Sequence, residues 1–374
     1  MAEIRPLERG DLPQVASLYE HVARSGSRTA PPGLAASFEE TFLDYPGADP
    51  EIPSLVYLDG DGRIAGFLGS SVRRLVFDGR TIRLGISGQL VTEPEVRNRA
   101  AGAFLIKEYM SGPQDLTVTD TASETVRRIW EGLGGETSQL ACVGWVRLFR
   151  PWRFGGDFLA RRRQRERLAR SARPLWTALD AASTIVARGA LRPPSPDGSA
   201  EELTPVAIIE HLPEVAKSFR LRPAYDDEEF AAWLLAALAA VSTRGSLIAR
   251  LVRDRDGSVR GWYIYYLASA GIAQVIQVVV DERQVDDTLD HLLHDAWSRG
   301  ASGIQGRVEA HLREPLSRRR CVFHASGYLA LLHSRDAGLL HAIQSGRALL
   351  TRLEGEWWMG HHLEAFGGTW SGTP

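Results

Sequence analysis

The chain has 374 residues, more than one ordinary domain requires, and two compact cores account for most of that length. Its 44% hydrophobic and 24% charged residues are those of a globular protein, and a net charge of −2 provides no global attraction to nucleic acid or to an anionic membrane. Cys142 and Cys321 stand alone, without the spacing of a disulfide framework or a metal site, so no metal is expected. The start, MAEIRPLERGDL, lacks the apolar core of a signal peptide, and the longest apolar run, Phe230 to Val241, is far short of the ~20 residues that span a bilayer. A cytoplasmic location is the expectation, with no nucleic-acid partner and no membrane span.

In chain order, Glu3 to Leu7 reads as a first strand, and Gly10-Asp11-Leu12-Pro13 opens a helix in which Val15, Leu18, Tyr19 and Val22 recur at helical spacing. Ser25 to Gly33 is a loop, and Leu34 to Tyr45 a second helix. Ser54 to Leu58 and Ile64 to Leu75 form a hairpin across Asp59-Gly60-Asp61-Gly62-Arg63, and a second hairpin turns at Asp78-Gly79 into Ile82 to Val91. Pro94 stops that strand, Glu95 to Arg99 form a turn, and Ala100 to Met110 read as a helix. Asp115 to Asp120 is a fifth strand, Ala122 to Leu133 a helix closed by Gly134-Gly135, and Ser138 to Phe149 supplies the last strands of this half.

The turn before the third helix carries the chemistry. Arg97, Asn98 and Arg99 bring positive charge, and the small residues Ala100, Ala101, Gly102 and Ala103 leave the first backbone N–H groups of the helix open to an anion. This strand-turn-helix, within this order of elements, resembles the GNAT superfamily of N-acetyltransferases. The family signature Q/R-x-x-G-x-G/A is matched by Arg97, Ala100 and Gly102, with Ala in place of the first Gly.

The resemblance implies an α/β (α+β) fold of two tandem GNAT-like (acyl-CoA N-acyltransferase) domains, each a mixed, mostly antiparallel sheet flanked by helices. It implies acetyl-CoA or another acyl-CoA as co-substrate, with its pyrophosphate at Arg97 to Ala103 and its pantetheine along the backbone of Leu90, Val91 and Thr92. Ser123 falls where the family often has Asn, also on the cofactor side. Trp130 replaces the Tyr that the family uses as a general acid, and an indole cannot take over that proton transfer. Ser87 and Gln89 occupy the part of the fourth strand where some relatives carry a base. Asp120 and Glu124 are then the nearest acids expected at the cleft and the catalytic candidates, with a helix cap as the other reading of Asp120.

Residues 151–203 form an Arg-rich helix and a Pro-rich linker, read either as a solvated helix or as a contact for anions. The same grammar then returns. Leu203 to Ile209 reads as a strand, Leu212 to Phe219 and Asp227 to Val241 as helices, and Asp254 to Ser258 turns a hairpin into Val259 to Leu267. Gly271 to Asp281 takes the place of the fourth strand, and Val285 to Ser298 that of the cofactor helix. The expected domains are 1–150, with the acyl-CoA site, and a degenerate copy at 204–345, followed by an aromatic tail at 346–374 that contains Glu356-Trp357-Trp358. In the copy, Asp281, Glu282, Asp286 and Asp287 surround the anchor position and repel a pyrophosphate. The expected activity is acyl transfer, acetyl above all, to the amine of a small molecule or peptide. The alternatives are a non-catalytic binding or scaffold protein of the same fold, and an aminoacyl transferase resembling those of peptidoglycan synthesis.

Overall fold

The structure is a computed structural model that describes residues 3–94, 100–162, 173–186, 190–225, 227–241, 244–268, 271–281 and 284–359. Arg97, Asn98 and Arg99 of the expected anchor lie outside the described residues, as do most of the Arg-rich segment and Glu282.

The first half runs β1 (Glu3–Pro6), α1 (Leu12–Tyr19), α2 (Leu34–Phe42), β2 (Leu55–Leu58), β3 (Ile64–Phe77), β4 (Arg80–Thr92), α3 (Ala101–Met110), β5 (Leu116–Ala122), α4 (Glu124–Gly132), β6 (Glu136–Thr137) and β7 (Val143–Leu148). The hairpins form for the reasons the sequence suggests. The Asp59 carboxylate accepts the N–H groups of Asp61 and Arg63 at 2.9 and 3.0 Å, and Asp78 and Gly79 both adopt positive φ, 48° and 85°, which suits a two-residue turn. Side chains on β2 and β3 alternate between two cores. Leu55, Tyr57 and Leu68 pack with α3 and α4, whereas Val56 and Phe67 pack with α1 and α2, so helices cover both faces of the sheet.

The chain continues through α5 (Pro151–Arg162), α6 (Arg173–Val186), β8 (Ser199–Glu202), α7 (Pro205–Val215), β9 (Leu221–Pro223), α8 (Glu228–Ala240), β10 (Ser246–Arg253), β11 (Val259–Leu267), β12 (Ile272–Val280), α9 (Val285–Ser298), β13 (Gly303–Arg307), α10 (Arg313–Arg318), β14 (Val322–Ala325), β15 (Leu329–His333) and α11 (Ala337–Gln344). The expected strand at 203–209 is instead the start of α7. Thr204 Oγ1 accepts the N–H of Ala207 at 3.2 Å and Pro205 takes the first helical position, a start signal that outweighs the β-branched run behind it.

Two compact units result, and neither is a contiguous half. One comprises 1–142, 219–243 and 327–374, the other 143–218 and 244–326. This differs from the boundaries expected at 150 and 204. In the first unit the sheet order is β1-β2-β3-β4-β5-β15-β6, with β9 on β3; in the second it is β14-β7-β13-β12-β11-β10-β8. The place beside the fifth strand of each sheet is thus filled from the other half of the sequence: β15 pairs antiparallel with β5, and β7 with β13. In the second unit β11 and β12 are apolar almost throughout, and Trp262, Tyr263, Ile264 and Tyr265 are fully buried, as expected of central strands covered on both faces.

Candidate active site

In the first unit β4 and β5 run parallel and pair only from Leu84↔Leu116 to Ile86↔Val118. Beyond that they separate. On its other side β4 bulges against β3, where the register shifts between Phe67↔Val91 and Gly69↔Gly88, and Gln89 takes a left-handed conformation with φ 53°. Such a conformation in a residue with a side chain costs energy and marks a place worth attention. The bulge turns Gln89 toward two partners. Its Oε1 accepts the Tyr19 hydroxyl at 2.6 Å, and its backbone N–H donates to Glu356 Oε2 at 3.1 Å.

A cavity of about 240 Å³ lies at this gap. Leu68, Leu90, Val91, Ile106, Val126 and Trp130 give it an apolar wall; Tyr19, Arg24, Gln89, Thr119, Tyr328 and Glu356 give it a polar one. The Glu356 carboxyl reaches the gap from the segment after α11 and bridges the two strands, accepting from Gln89 N on β4 and Thr119 Oγ1 on β5. Gly88 makes room for it, since a Cβ there would collide with Glu356 Oε2. Burial pushes the Glu356 carboxyl up to about 7, with the charge of Asp120 adding to the effect and hydrogen bonds from Thr119, Thr121 and Gln89 N opposing it. A carboxyl that gains and loses a proton near neutrality, facing a cavity, suits proton transfer.

The segment carrying Glu356 is fastened at several points. Thr351 and Glu354 form a reciprocal capping box, Trp358 Nε1 donates to Leu353 O at 3.1 Å, and the buried Arg73 guanidinium sits among Tyr45, Phe230, Trp233 and Trp358 at 5.2–6.0 Å from the ring centres. Asp120 Oδ1 accepts the N–H groups of Glu356 and Trp357 at 2.8 and 3.0 Å.

The residues singled out by sequence distribute unevenly around this point. Leu90, Val91, Ser123 and Trp130 line the cavity, and Thr92 ends β4 beside them. Ser123 Oγ caps α4, accepting Val126 N at 3.4 Å. Trp130 is buried and commits its Nε1–H to Leu332 O at 2.9 Å, so this ring is a wall and not a proton donor. Ala100 holds a left-handed conformation, φ 56°, just before α3, which accounts for the glycine the signature has there; Ala101, Gly102 and Ala103 form the first turn of α3. Asp120 is buried but faces away from the cavity, as the lining by its neighbours Thr119 and Thr121 requires of a strand. Glu124 lies on the exposed side of α4, where Arg127 and Arg128 hold its carboxyl down to about 2. Such a weak base does not suit proton abstraction. Glu356 was legible only as an acid between Gly355 and two tryptophans, a pairing of charge with residues that seek burial.

In the second unit, Asp286 at the start of α9 pairs with Arg318 and Arg319, and Asp287 with Arg260. Among the described residues, no group of three or more His, Cys, Asp or Glu side chains is arranged to hold a metal ion, and no helix is long and apolar enough to cross a membrane.

No protein-family profile and no curated protein matches the chain in sequence. Its fold does match solved structures. A protein of Enterococcus faecalis V583 described as a probable N-acyltransferase aligns over 88% of this chain and 72% of its own, with a TM-score of 0.56 at 10% identity. A GCN5-related N-acetyltransferase from Kribbella flavida aligns over 90% and 72%, with a TM-score of 0.54 at 14% identity. Saccharomyces cerevisiae N-myristoyltransferase with bound myristoyl-CoA aligns over 88% and 82%, with a TM-score of 0.51 at 10% identity. The chain shares the fold of these structures, two mixed sheets flanked by helices.

Proposed function

We propose that the protein is an acyl-CoA-dependent N-acyltransferase whose reaction takes place in the first unit, with Glu356 as the general base. The observation that carries this reading is the buried Glu356 carboxyl, poised near neutrality between two separated strands and facing a cavity. When bound, acyl-CoA supplies an acyl thioester open to attack by an amine. The residues present fit it: β4 beyond Ile86 has no ladder partner on β5, and the apolar wall of Leu90, Ile106, Val126 and Trp130 suits a pantetheine arm. Leu90 to Thr92 would hold that arm along the strand, and the charges of Arg97 and Arg99 ahead of α3 would hold the pyrophosphate.

Glu356 accepts the proton of the incoming ammonium group and orients the freed amine. Tyr19, through Gln89, fixes the bulge that presents a backbone N–H to Glu356. At the start of α9 the arginines Arg318, Arg319 and Arg260 are engaged by Asp286 and Asp287 and so are not free to hold a pyrophosphate, and one acyl-CoA per chain is expected.

The test is calorimetric titration of the whole chain with acetyl-CoA and longer acyl-CoAs, followed by thiol release across a panel of small and peptidic amines. Saturation at one per chain and amine-dependent thiol release that rises through about pH 7 is the expected outcome. Binding without thiol release from any amine would instead favour a ligand-binding protein, the reading that the committed N–H of Trp130 supports.

A further inference from the structure

We infer that Asp120 is a positioning residue that holds the Glu356 carboxyl in the gap between β4 and β5 by binding the backbone that carries it. The inference rests on the reading of Glu356 as the base. A single oxygen of Asp120 takes two backbone N–H groups, those of Glu356 and Trp357, from a segment 236 residues away in sequence. Bonds of this kind to an ionised carboxylate are short and stronger than neutral ones, and here both partners are buried. Gly355 lets the backbone lie this close, because a Cβ at that position would collide with the Asp120 carboxylate. Strand alternation completes the arrangement: Thr119 faces the cavity and receives the Glu356 side chain, while Asp120 faces the segment and receives its backbone. Two consecutive residues of β5 therefore fix both ends of the base.

The position has an electrostatic consequence. Asp120 places a negative charge beside Glu356, which favours the protonated form of the base. The other charged and titratable groups at the cavity are Arg24, which pairs with Glu20 on the turn after α1, and the phenols of Tyr19 and Tyr328; β4 contributes only the neutral Ser87 and Gln89. Within the segment itself, Glu354 is bound by Tyr225 and Thr351. Removing the Asp120 charge should thus lower the pH at which Glu356 ionises.

The experiment titrates the Glu356 side chain directly, by carbon NMR of the full chain labelled at glutamate carboxyls, with Glu356→Gln assigning the resonance. In Asp120→Asn the Glu356 midpoint should fall by ~1 pH unit, the acid limb of the turnover profile should move with it, and acyl-CoA affinity should stay within about twofold. A residue that only supports the fold would change stability and leave the midpoint where it was; an unmoved midpoint overturns the inference. Should Asp120→Asn fail to fold, Gly355→Ala displaces the segment while leaving the charge in place. It should lower turnover at least ~10-fold with acyl-CoA binding retained, and unchanged turnover there overturns the inference equally. Undiminished turnover in Glu356→Gln is a separate result: it removes the base, whereas an unmoved midpoint removes only the part of Asp120.

Discussion

The two units share a frame and differ in what they do with its fourth strand. Both strands carry a bulge, at Gln89 in β4 and near Ile276 in β12, and both run parallel to the fifth strand for only three residue pairs. In the first unit the polar groups near the bulge meet at a cavity and include an acid from elsewhere in the chain. In the second unit several of them pair with one another. Gln277 is fully buried and takes the indole N–H of Trp262 at 3.0 Å, Gln274 takes Arg244, and the acids at the start of α9 are neutralised by arginines. The comparison teaches that the strand frame does not confer a site. What distinguishes the first unit is that its hydrogen-bonded polar groups border a cavity and include an acid from a distant segment.

The largest test of that contrast is Glu356→Gln. Loss of the base should cost roughly 10²- to 10⁴-fold in turnover, with acyl-CoA affinity unchanged, as read by steady-state thiol release and calorimetry. Turnover within a few-fold of wild type would break the comparison at its centre.

The same variant sharpens it thermodynamically. The folded-state pKa of Glu356, about 7, lies above the ordinary value of 4.5, so between these pH values the folded protein holds a proton that the unfolded chain has released. The contribution is therefore present in full below about pH 4.5 and is lost as pH rises through about 7. Denaturant unfolding should show wild type losing about 3 kcal/mol relative to Glu356→Gln across this window, at 1.36 kcal/mol per unit. Parallel curves would mean that Glu356 is not buried as described.

A smaller effect is expected from Gly88→Ala. The added methyl meets Glu356, whose own Cβ lies 3.0 Å from the new atom, so the segment must shift and turnover should drop about tenfold with the fold retained. The smallest effect belongs to the second unit. Thr288 is fully buried and its hydroxyl has no hydrogen-bond partner among the described residues, so Thr288→Val should leave turnover unchanged and alter stability by no more than about 1 kcal/mol, upward. A loss of turnover there would show that the second unit takes part in the chemistry.

Much of the frame was legible because its signals are local. Asp59 to Arg63 and Asp254 to Ser258 are hairpin turns by their own hydrogen bonds, and Pro94 followed by small residues marks the passage from β4 toward α3. The membership of β7 and β15 was not legible. Six- and five-residue strands of ordinary composition fit either sheet, and only the available edge decides which they join. Glu356 was missed for a related reason: its surroundings come from β4 and β5, far away in sequence, and Gly355-Glu356-Trp357 alone says nothing about them. Asp120 could have been placed better. Alternation along Thr119-Asp120-Thr121 allows the cavity either the threonines or the acid, and the fold gives it the threonines.

The exchange of β7 and β15 also bears on how the protein is made. As the chain leaves the ribosome, β5 and β6 emerge long before the strand that separates them, and the acid of the cavity follows Asp120 by 236 residues. At roughly 5–20 residues per second, translation leaves β5 without its β15 neighbour for about 10–40 s. During that interval an unpaired strand edge is open to any passing backbone, including that of another nascent copy. The first sheet cannot be completed until β15 has been made, so the demand for protection during synthesis is greatest at β5.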